Sequence, residues 1–284
     1  YAKKEKVKNL LIYDAVNKIL NKNKILAPKL INQNYKNNYI EVEDFGDNTL
    51  YKVLKHNKTN KEFFFIKILK TLSRLQLIKD KQVVNLNRQK YKVQKYDNKI
   101  LLNEAKLFSE WYAPTKINKF QIRKFKKGYE NEVKKLLSKL NLKNDTFVHR
   151  DFHVSNLMYV KNNIAVIDSQ DALIGNKAYD LASLVDDVRF KTSNKQKNKI
   201  LNNYFKKLKK NEIKEFINDF EILSVLRNLK IIGIFMRLAL RDNKKKYVKM
   251  IPYAWEMINY RMRKNREFNS LKLILKHNFP KFVK

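Results

Sequence analysis

The stretch that most constrains this chain is FVHRDFHVSNLMYVKNNIAVIDSQD, Phe147 to Asp171. Two short apolar runs, Leu157 to Val160 and Ile164 to Ile167, flank Lys161-Asn162-Asn163, a pattern that predicts a β-hairpin. Asp151 and Asn156 share the loop before the first strand and Asp168 ends the second, so the hairpin folds Asp168 back beside Asn156. An amide oxygen and a carboxylate converging there form an oxygen-donor site suited to Mg²⁺, which uses few protein ligands and takes the rest from water and substrate phosphate. Asp151 would face that ion at the distance where a hydroxyl nucleophile could sit. Phosphoryl transfer needs such an arrangement, because there the protein mainly positions groups and neutralises charge. Taken singly, Asp151, Asn156 and Asp168 could each be a turn or capping residue; it is their joint spacing between strands that points to a site.

Around this hairpin the periodicity is mostly helical. Leu10, Leu11, Ala15, Ile19 and Leu20 recur at helical spacing over Asn9 to Asn23, and Pro28 follows. Tyr39 to Phe45 alternates as a strand does, and Gly46-Asp47 turns the chain. Helices are predicted over Asn60 to Ile78, Asn98 to Tyr112 and Ile117 to Leu140, and from Tyr179 to the end; Asp186 and Asp187 are expected on an exposed helix face. The reading is an α+β chain of two lobes: a partial N-terminal lobe over 1–47 and a helical C-terminal lobe over 48–284 that carries the hairpin. The hinge is placed at Asp44-Phe45-Gly46-Asp47.

Composition narrows the chemistry. No Cys is present, which excludes a disulfide framework, a thiolate metal site and a Cys nucleophile. The apolar run Ile231 to Leu240 is too short to span a bilayer and is interrupted by Arg237. The opening residues do not read as a secretory leader. A cytoplasmic monomer without a membrane partner is therefore expected. Sixty-three Lys and Arg against 27 Asp and Glu give a net charge of +36. The excess is mostly Lys, scattered along the whole chain beside abundant Asn, Ile, Tyr and Phe, all residues with AT-rich codons. A dedicated nucleic-acid surface would cluster its cations and favour Arg, so no specific nucleic-acid partner is expected.

His149-Arg150-Asp151, four further residues and Asn156 match the kinase catalytic-loop pattern, and Asp168 falls where the metal-binding Asp of the D-F-G segment belongs. His153, two residues after Asp151, resembles the small-molecule branch of that fold, the aminoglycoside and choline kinases. The chain thus looks like a two-lobed protein-kinase-like phosphotransferase. VEDFGDNTL from Val42, LLNEAKLFSEWY from Leu101, IDSQDALIGNKAYDLASLVDD from Ile167 and LKIIGIFMRLALRDNKKKYVKMIP from Leu229 resemble one subgroup, the anomeric N-acetylmuramate and N-acetylglucosamine kinases of cell-wall recycling.

The resemblance implies transfer of the ATP γ-phosphate to the anomeric hydroxyl of an amino sugar. Asp151 would be the catalytic base or orienting acid, His153 would orient Asp151 or approach phosphate, and Asn156 and Asp168 would hold Mg²⁺. Glu43 and Phe45 would lie at the nucleotide, while His149 and Asp180 support the loop. Glu104, Glu110, Trp111, Tyr112 and Asp171 are the acceptor candidates, since an aromatic face with carboxylates suits a pyranose; Trp111 and Tyr112 could equally be packing residues. An aminoglycoside, choline or homoserine-type acceptor, or an inactive scaffold binding polyanions, are the alternatives. Ser169 stands where the subgroup has Phe. The glycines at 46, 128, 175 and 233 include no phosphate-covering turn near the start, which the resemblance explains by strands preceding Tyr1. Lys3 and Lys4 are the nearest candidates for a phosphate lysine.

Overall fold

The computed structural model describes residues 7–35, 37–56, 60–85, 88–263 and 265–283. Lys3 and Lys4 lie outside the described residues. In chain order the elements are α1 (Val7–Lys22), β1 (Leu30–Asn34), β2 (Tyr39–Val42), α2 (Leu50–His56), α3 (Lys61–Gln76), β3 (Gln82–Val84), β4 (Lys90–Lys92), α4 (Asn98–Leu107) and α5 (Ile122–Ser138). They continue with β5 (Asn144–Val148), β6 (Leu157–Val160), β7 (Asn163–Val166), β8 (Leu173–Asn176), α6 (Ala178–Val185), α7 (Asn194–Phe205), α8 (Lys210–Arg241), α9 (Ile251–Met262) and α10 (Asn269–Asn278). Contacts divide the chain into two compact units. The first comprises Tyr1–Lys95, Lys143–Leu184 and Asn198–Lys206, the second Tyr96–Leu142, Val185–Lys197 and Lys207–Lys284. The expected boundary after residue 47 falls inside the first unit.

In the first unit α1 buries the stripe its spacing announces: Ala15, Ile19 and Leu20 are all in the core. β1 and β2 pair antiparallel, Leu30 opposite Val42 and Asn34 opposite Tyr39. The strand stops at Val42 rather than Phe45, and Gly46 turns at φ 72° with its N–H on the Asp44 carboxylate at 2.8 Å. β6 and β7 form the expected hairpin, with Leu157 opposite Val166 and Val160 opposite Asn163. Its turn is one residue tighter than the sequence suggests: Lys161 and Asn162, at φ 44° and 66°, make a two-residue turn of the kind that matches strand twist. β5 and β8 pair antiparallel on either side of it, Phe147 opposite Ile174. The β3–β4 ribbon was not foreseen, because Gln82-Val83-Val84 and Lys90-Tyr91-Lys92 are too short and polar to register a period.

The second unit is built on α8, a helix of 32 residues. Phe108, Tyr112, Phe125, Tyr129, Trp255 and Phe279 form one aromatic cluster, with ring centroids 5.3–6.3 Å apart in the contacts of Phe108. The helix expected over Asn98 to Tyr112 is α-helical only to Leu107 and continues as one π-turn over Phe108–Tyr112. Gly233 of α8 meets the chain at that change. A β-carbon there would sit 2.6 Å from the Phe108 nitrogen and closer still to the Leu107 carbonyl, so only glycine lets the two backbones touch. Among the described residues no helix is long and apolar enough to cross a membrane.

Asp186 and Asp187 are buried, not exposed. The sequence predicts a helix through both residues, but α6 ends at Val185, and the two carboxylates lie in the turn that follows, buried by tertiary packing. Asp186 accepts from Lys197 Nζ at 2.7 Å, Arg261 Nε at 2.7 Å and Nη2 at 3.1 Å, and Ser224 Oγ at 2.6 Å. Burial opposes its charge, but Lys197 and Arg261 outweigh burial and hold the carboxyl well below the usual carboxylate range. A group with a depressed folded pKa stabilises above its unfolded value of about 3.9, and that contribution is lost as pH falls through the folded value.

Asp186→Ala, which strands two cations in the core, is expected to cost about 3–5 kcal/mol and to flatten the loss of stability below about pH 4. Denaturant melts at pH 3 and 7 read both effects. Gly233→Ala gains roughly 1 kcal/mol of helix propensity against roughly 1–3 kcal/mol of overpacking. Because both clashing partners are backbone, the balance is expected to be destabilising and to appear as a lower Tm in calorimetry.

Candidate active site

The loop between β5 and β6 is held by its own backbone and by one carboxylate. His153 N–H donates to the Asp151 carbonyl at 2.9 Å, and Asn156 N–H to the His153 carbonyl at 2.8 Å. Asp180, fully buried on α6, accepts the His149 N–H at 2.7 Å and the Arg150 N–H at 2.9 Å. Arg150 has φ 72°, left-handed backbone that a long side chain adopts only when the surroundings impose it. Ser183, one turn along α6 on the same face, donates to the Arg150 carbonyl at 3.3 Å. Half-buried Asp151 follows directly.

His149 is fully buried, and its Nε2 lies 3.0 Å from the Ile167 carbonyl. Burial pushes its pKa down, against the pull of Asp151 and the Ile167 carbonyl. The ring is therefore neutral, with its proton on Nε2 toward that carbonyl. Ile167 N–H donates in turn to the Asn156 carbonyl at 3.0 Å. These two bonds tie the loop to the end of β7, where Asp168 stands.

Asn156 and Asp168 line one cleft of about 460 Å³ together with Tyr13, Glu43, Phe45, Asp47 and Lys52, a volume within the usual range for small-molecule sites. The hairpin thus brings together the two expected metal ligands and the two expected nucleotide residues. Among the described residues lining the cleft are four acids, Glu43, Asp44, Asp47 and Asp168, and one cation, Lys52. That reverses the balance of the chain as a whole. The Asn156 amide nitrogen donates to the Asp151 carbonyl at 3.2 Å, which leaves Oδ1 for another partner. Gln170 donates to Asp168 Oδ1 at 2.8 Å, leaving Oδ2. Among the described residues no three His, Asp or Glu side chains gather as a metal cage. Two oxygen donors in an acid-lined cleft fit a magnesium ion that arrives with phosphate, which needs few protein ligands.

Asp171 is exposed and turned toward Arg150, whose guanidinium donates to its carbonyl at 3.1 Å and lies 3.6 Å from its carboxylate. Glu104, Glu110, Trp111 and Tyr112 belong to the second unit. Glu104 accepts from the Tyr96 hydroxyl and pairs with Lys230 at 2.9 Å. Glu110 is exposed and Trp111 half-buried on the π-turn. Tyr112 is buried in the aromatic cluster with its hydroxyl accepting from Trp255 at 3.3 Å, the packing role left open by the sequence.

Three residues escaped the sequence reading: Tyr13, Asn17 and Lys52. Tyr13 and Asn17 stand one turn apart on the amphipathic helix α1, and that spacing was the available signal. Tyr13 lines the cleft, and burial together with the Asp168 charge raises its phenol pKa, against a hydrogen bond from Asn17.

Comparison with known proteins places this geometry. The chain is 34% identical over 182 residues to the N-acetylmuramate/N-acetylglucosamine kinase of Neisseria meningitidis, covering 62% of this chain and 54% of that protein. It is 28% identical over 236 residues to the kinase of the same name from Pseudomonas aeruginosa, covering 80% and 65%. The chain thus spans between half and two thirds of the length of these curated relatives. Among solved structures, a choline/ethanolamine kinase family protein from Mesorhizobium loti superposes with a TM-score of 0.61 at 10% identity, covering 95% of this chain and 83% of that one. The gentamicin complex of APH(2″)-IIa gives 0.57 at 13%, covering 90% and 85%. Identities this low speak for the fold alone, the protein-kinase-like α+β fold. Over residues 4–214, which include the braced loop, the hairpin and the cleft, the sequence matches the model of the phosphotransferase enzyme family, and the chain belongs to that family.

Proposed function

We propose that this protein is an ATP-dependent kinase that phosphorylates the anomeric hydroxyl of N-acetylmuramate or N-acetylglucosamine. The observation that carries the reading is the meeting of Asn156, Asp168 and the 43–47 segment in one acid-lined cleft, beside a loop whose Asp151 follows a braced, left-handed residue. The names of the curated relatives support the acceptor. Segment 43–47 would receive the nucleotide, with Phe45 against the base and backbone groups toward its edge. Asn156 Oδ1 and Asp168 Oδ2 would hold magnesium. Bound there, the ion would supply positive charge to offset that of the phosphate oxygens.

Asp151 takes the proton from the acceptor hydroxyl while that oxygen forms its bond to the γ-phosphorus and the bond to the β-phosphate oxygen breaks, leaving ADP. His153 supports the loop on the side of Asp151. Asp171, kept in place by Arg150, is the acceptor candidate of the first unit, and Glu104, Glu110 and Trp111 are those of the second.

Asp151→Asn keeps the shape and removes the proton acceptor. It is expected to lower kcat by about 10²–10⁴-fold with the circular dichroism spectrum and Tm unchanged; wild-type turnover would remove Asp151 from its role. ADP release measured over N-acetylmuramate, N-acetylglucosamine, choline, homoserine and an aminoglycoside decides the acceptor. Turnover confined to the last three would overturn the amino-sugar assignment.

A further inference from the structure

Asp168 is one of two non-glycine residues near the loop with left-handed backbone, at φ 60° and ψ 43°. The other, Arg150, is held by Asp180. What holds Asp168 is on the opposite side of the sequence. Ser169, fully buried, donates its hydroxyl to Asn17 Oδ1 on α1 at 2.5 Å across 152 positions of chain. Asn17 is itself 3% exposed, and its amide nitrogen donates to the Pro28 carbonyl at 2.9 Å. With the nitrogen committed to a carbonyl, only Oδ1 can face Ser169, so the orientation of the amide is fixed by its partners. The carbonyl of Ser169 accepts the Ala172 N–H at 3.0 Å and closes the short turn that follows Asp168.

We infer that Asn17 is a positioning residue for Asp168: through the Ser169 hydroxyl, α1 sets the left-handed turn that presents the Asp168 carboxylate to the cleft. This rests on the reading of Asp168 as a magnesium ligand. The same face of α1 supplies Tyr13, one turn earlier, to the cleft wall. One helix therefore shapes the wall of the site and fixes its exposed carboxylate. An apolar residue in place of Ser169 would pack against α1 without direction, whereas a hydroxyl with a single oriented acceptor selects one rotamer and with it one path for the backbone. The left-handed conformation, which costs about 1 kcal/mol or more, persists because this bond and the Gln170 contact to Asp168 oppose its relaxation.

The test is Mn²⁺ binding in the presence of ADP, followed by electron paramagnetic resonance, with Tm measured in parallel on Asp168→Ala, Ser169→Ala, Asn17→Leu and the double variant Asn17→Leu/Ser169→Ala. Asp168→Ala is expected to abolish the site, which establishes the underlying reading. Each single variant at 17 or 169 leaves a buried polar group without its partner and is expected to lower Tm, and to weaken Mn²⁺ about 10-fold, as loss of a group orienting a metal ligand does. The double variant removes the unmatched Ser169 hydroxyl and leaves only the Pro28 carbonyl without its Asn17 donor. Its Tm is expected to rise above that of Asn17→Leu while the Mn²⁺ affinity stays low, a split that a merely structural contact would not produce. Wild-type affinity in both single variants, or recovery of affinity together with Tm in the double variant, overturns the inference. If Asn17→Leu does not fold, Ser169→Ala, which removes one oxygen, carries the affinity comparison. Wild-type affinity in Asp168→Ala instead overturns the assignment of Asp168, and the inference with it.

Discussion

The site depends on a single buried carboxylate that makes no contact with a substrate. Asp180 accepts the backbone N–H groups of His149 and Arg150, and Ser183 of the same helix bonds the Arg150 carbonyl. Those bonds hold the Arg150 backbone in its left-handed conformation and so set the direction in which Asp151 leaves the loop. A buried carboxylate must find donors, and two N–H groups at the end of β5 are donors that must find an acceptor. Each need satisfies the other, and the loop geometry is the result.

From there the site is extended by short links. Neutral His149 joins the loop to the Ile167 carbonyl, Ile167 returns a bond to Asn156, and Asp168 follows. Arg150 and Asp168 both bear left-handed strain, and beside each stands a buried side-chain acceptor, Asp180 or Asn17. Strain of this kind is kept where the surroundings over-determine it. Half-buried Asp151 and exposed Asp168 are thereby placed by buried groups.

The second unit solves a different problem. Its long helix α8 comes backbone to backbone against the end of α4 at Gly233, and its core holds an aromatic cluster among aliphatic side chains. Into that core it takes Asp186 with Lys197 and Arg261. Such a cluster is tolerated because every lone pair of the carboxylate meets a donor. Removing one member leaves the others charged without water.

Much of the candidate site was legible because its residues are close in sequence. The loop Asp151 to Asn156, the hairpin and Asp168 sit within a short span, and the period of two and the turn residues dictate how they meet. The stripe on α1 was legible in the same way, whereas the supporting role of Asp180 was implied only by the family resemblance. The sequence did not determine where α6 ends or what packs over the residues after it, so Asp186 and Asp187 moved from an exposed helix face to a buried turn, and Tyr112 took its place in the aromatic cluster. Nor did it determine the β3–β4 ribbon, too short for a period, or the π-turn after Leu107, which lies where another backbone approaches. Asn17 and Ser169 are 152 positions apart, and no spacing rule links them. Local pattern specifies elements and loops because neighbours in sequence must be neighbours in space; which buried polar group meets which is decided only when the helix packs.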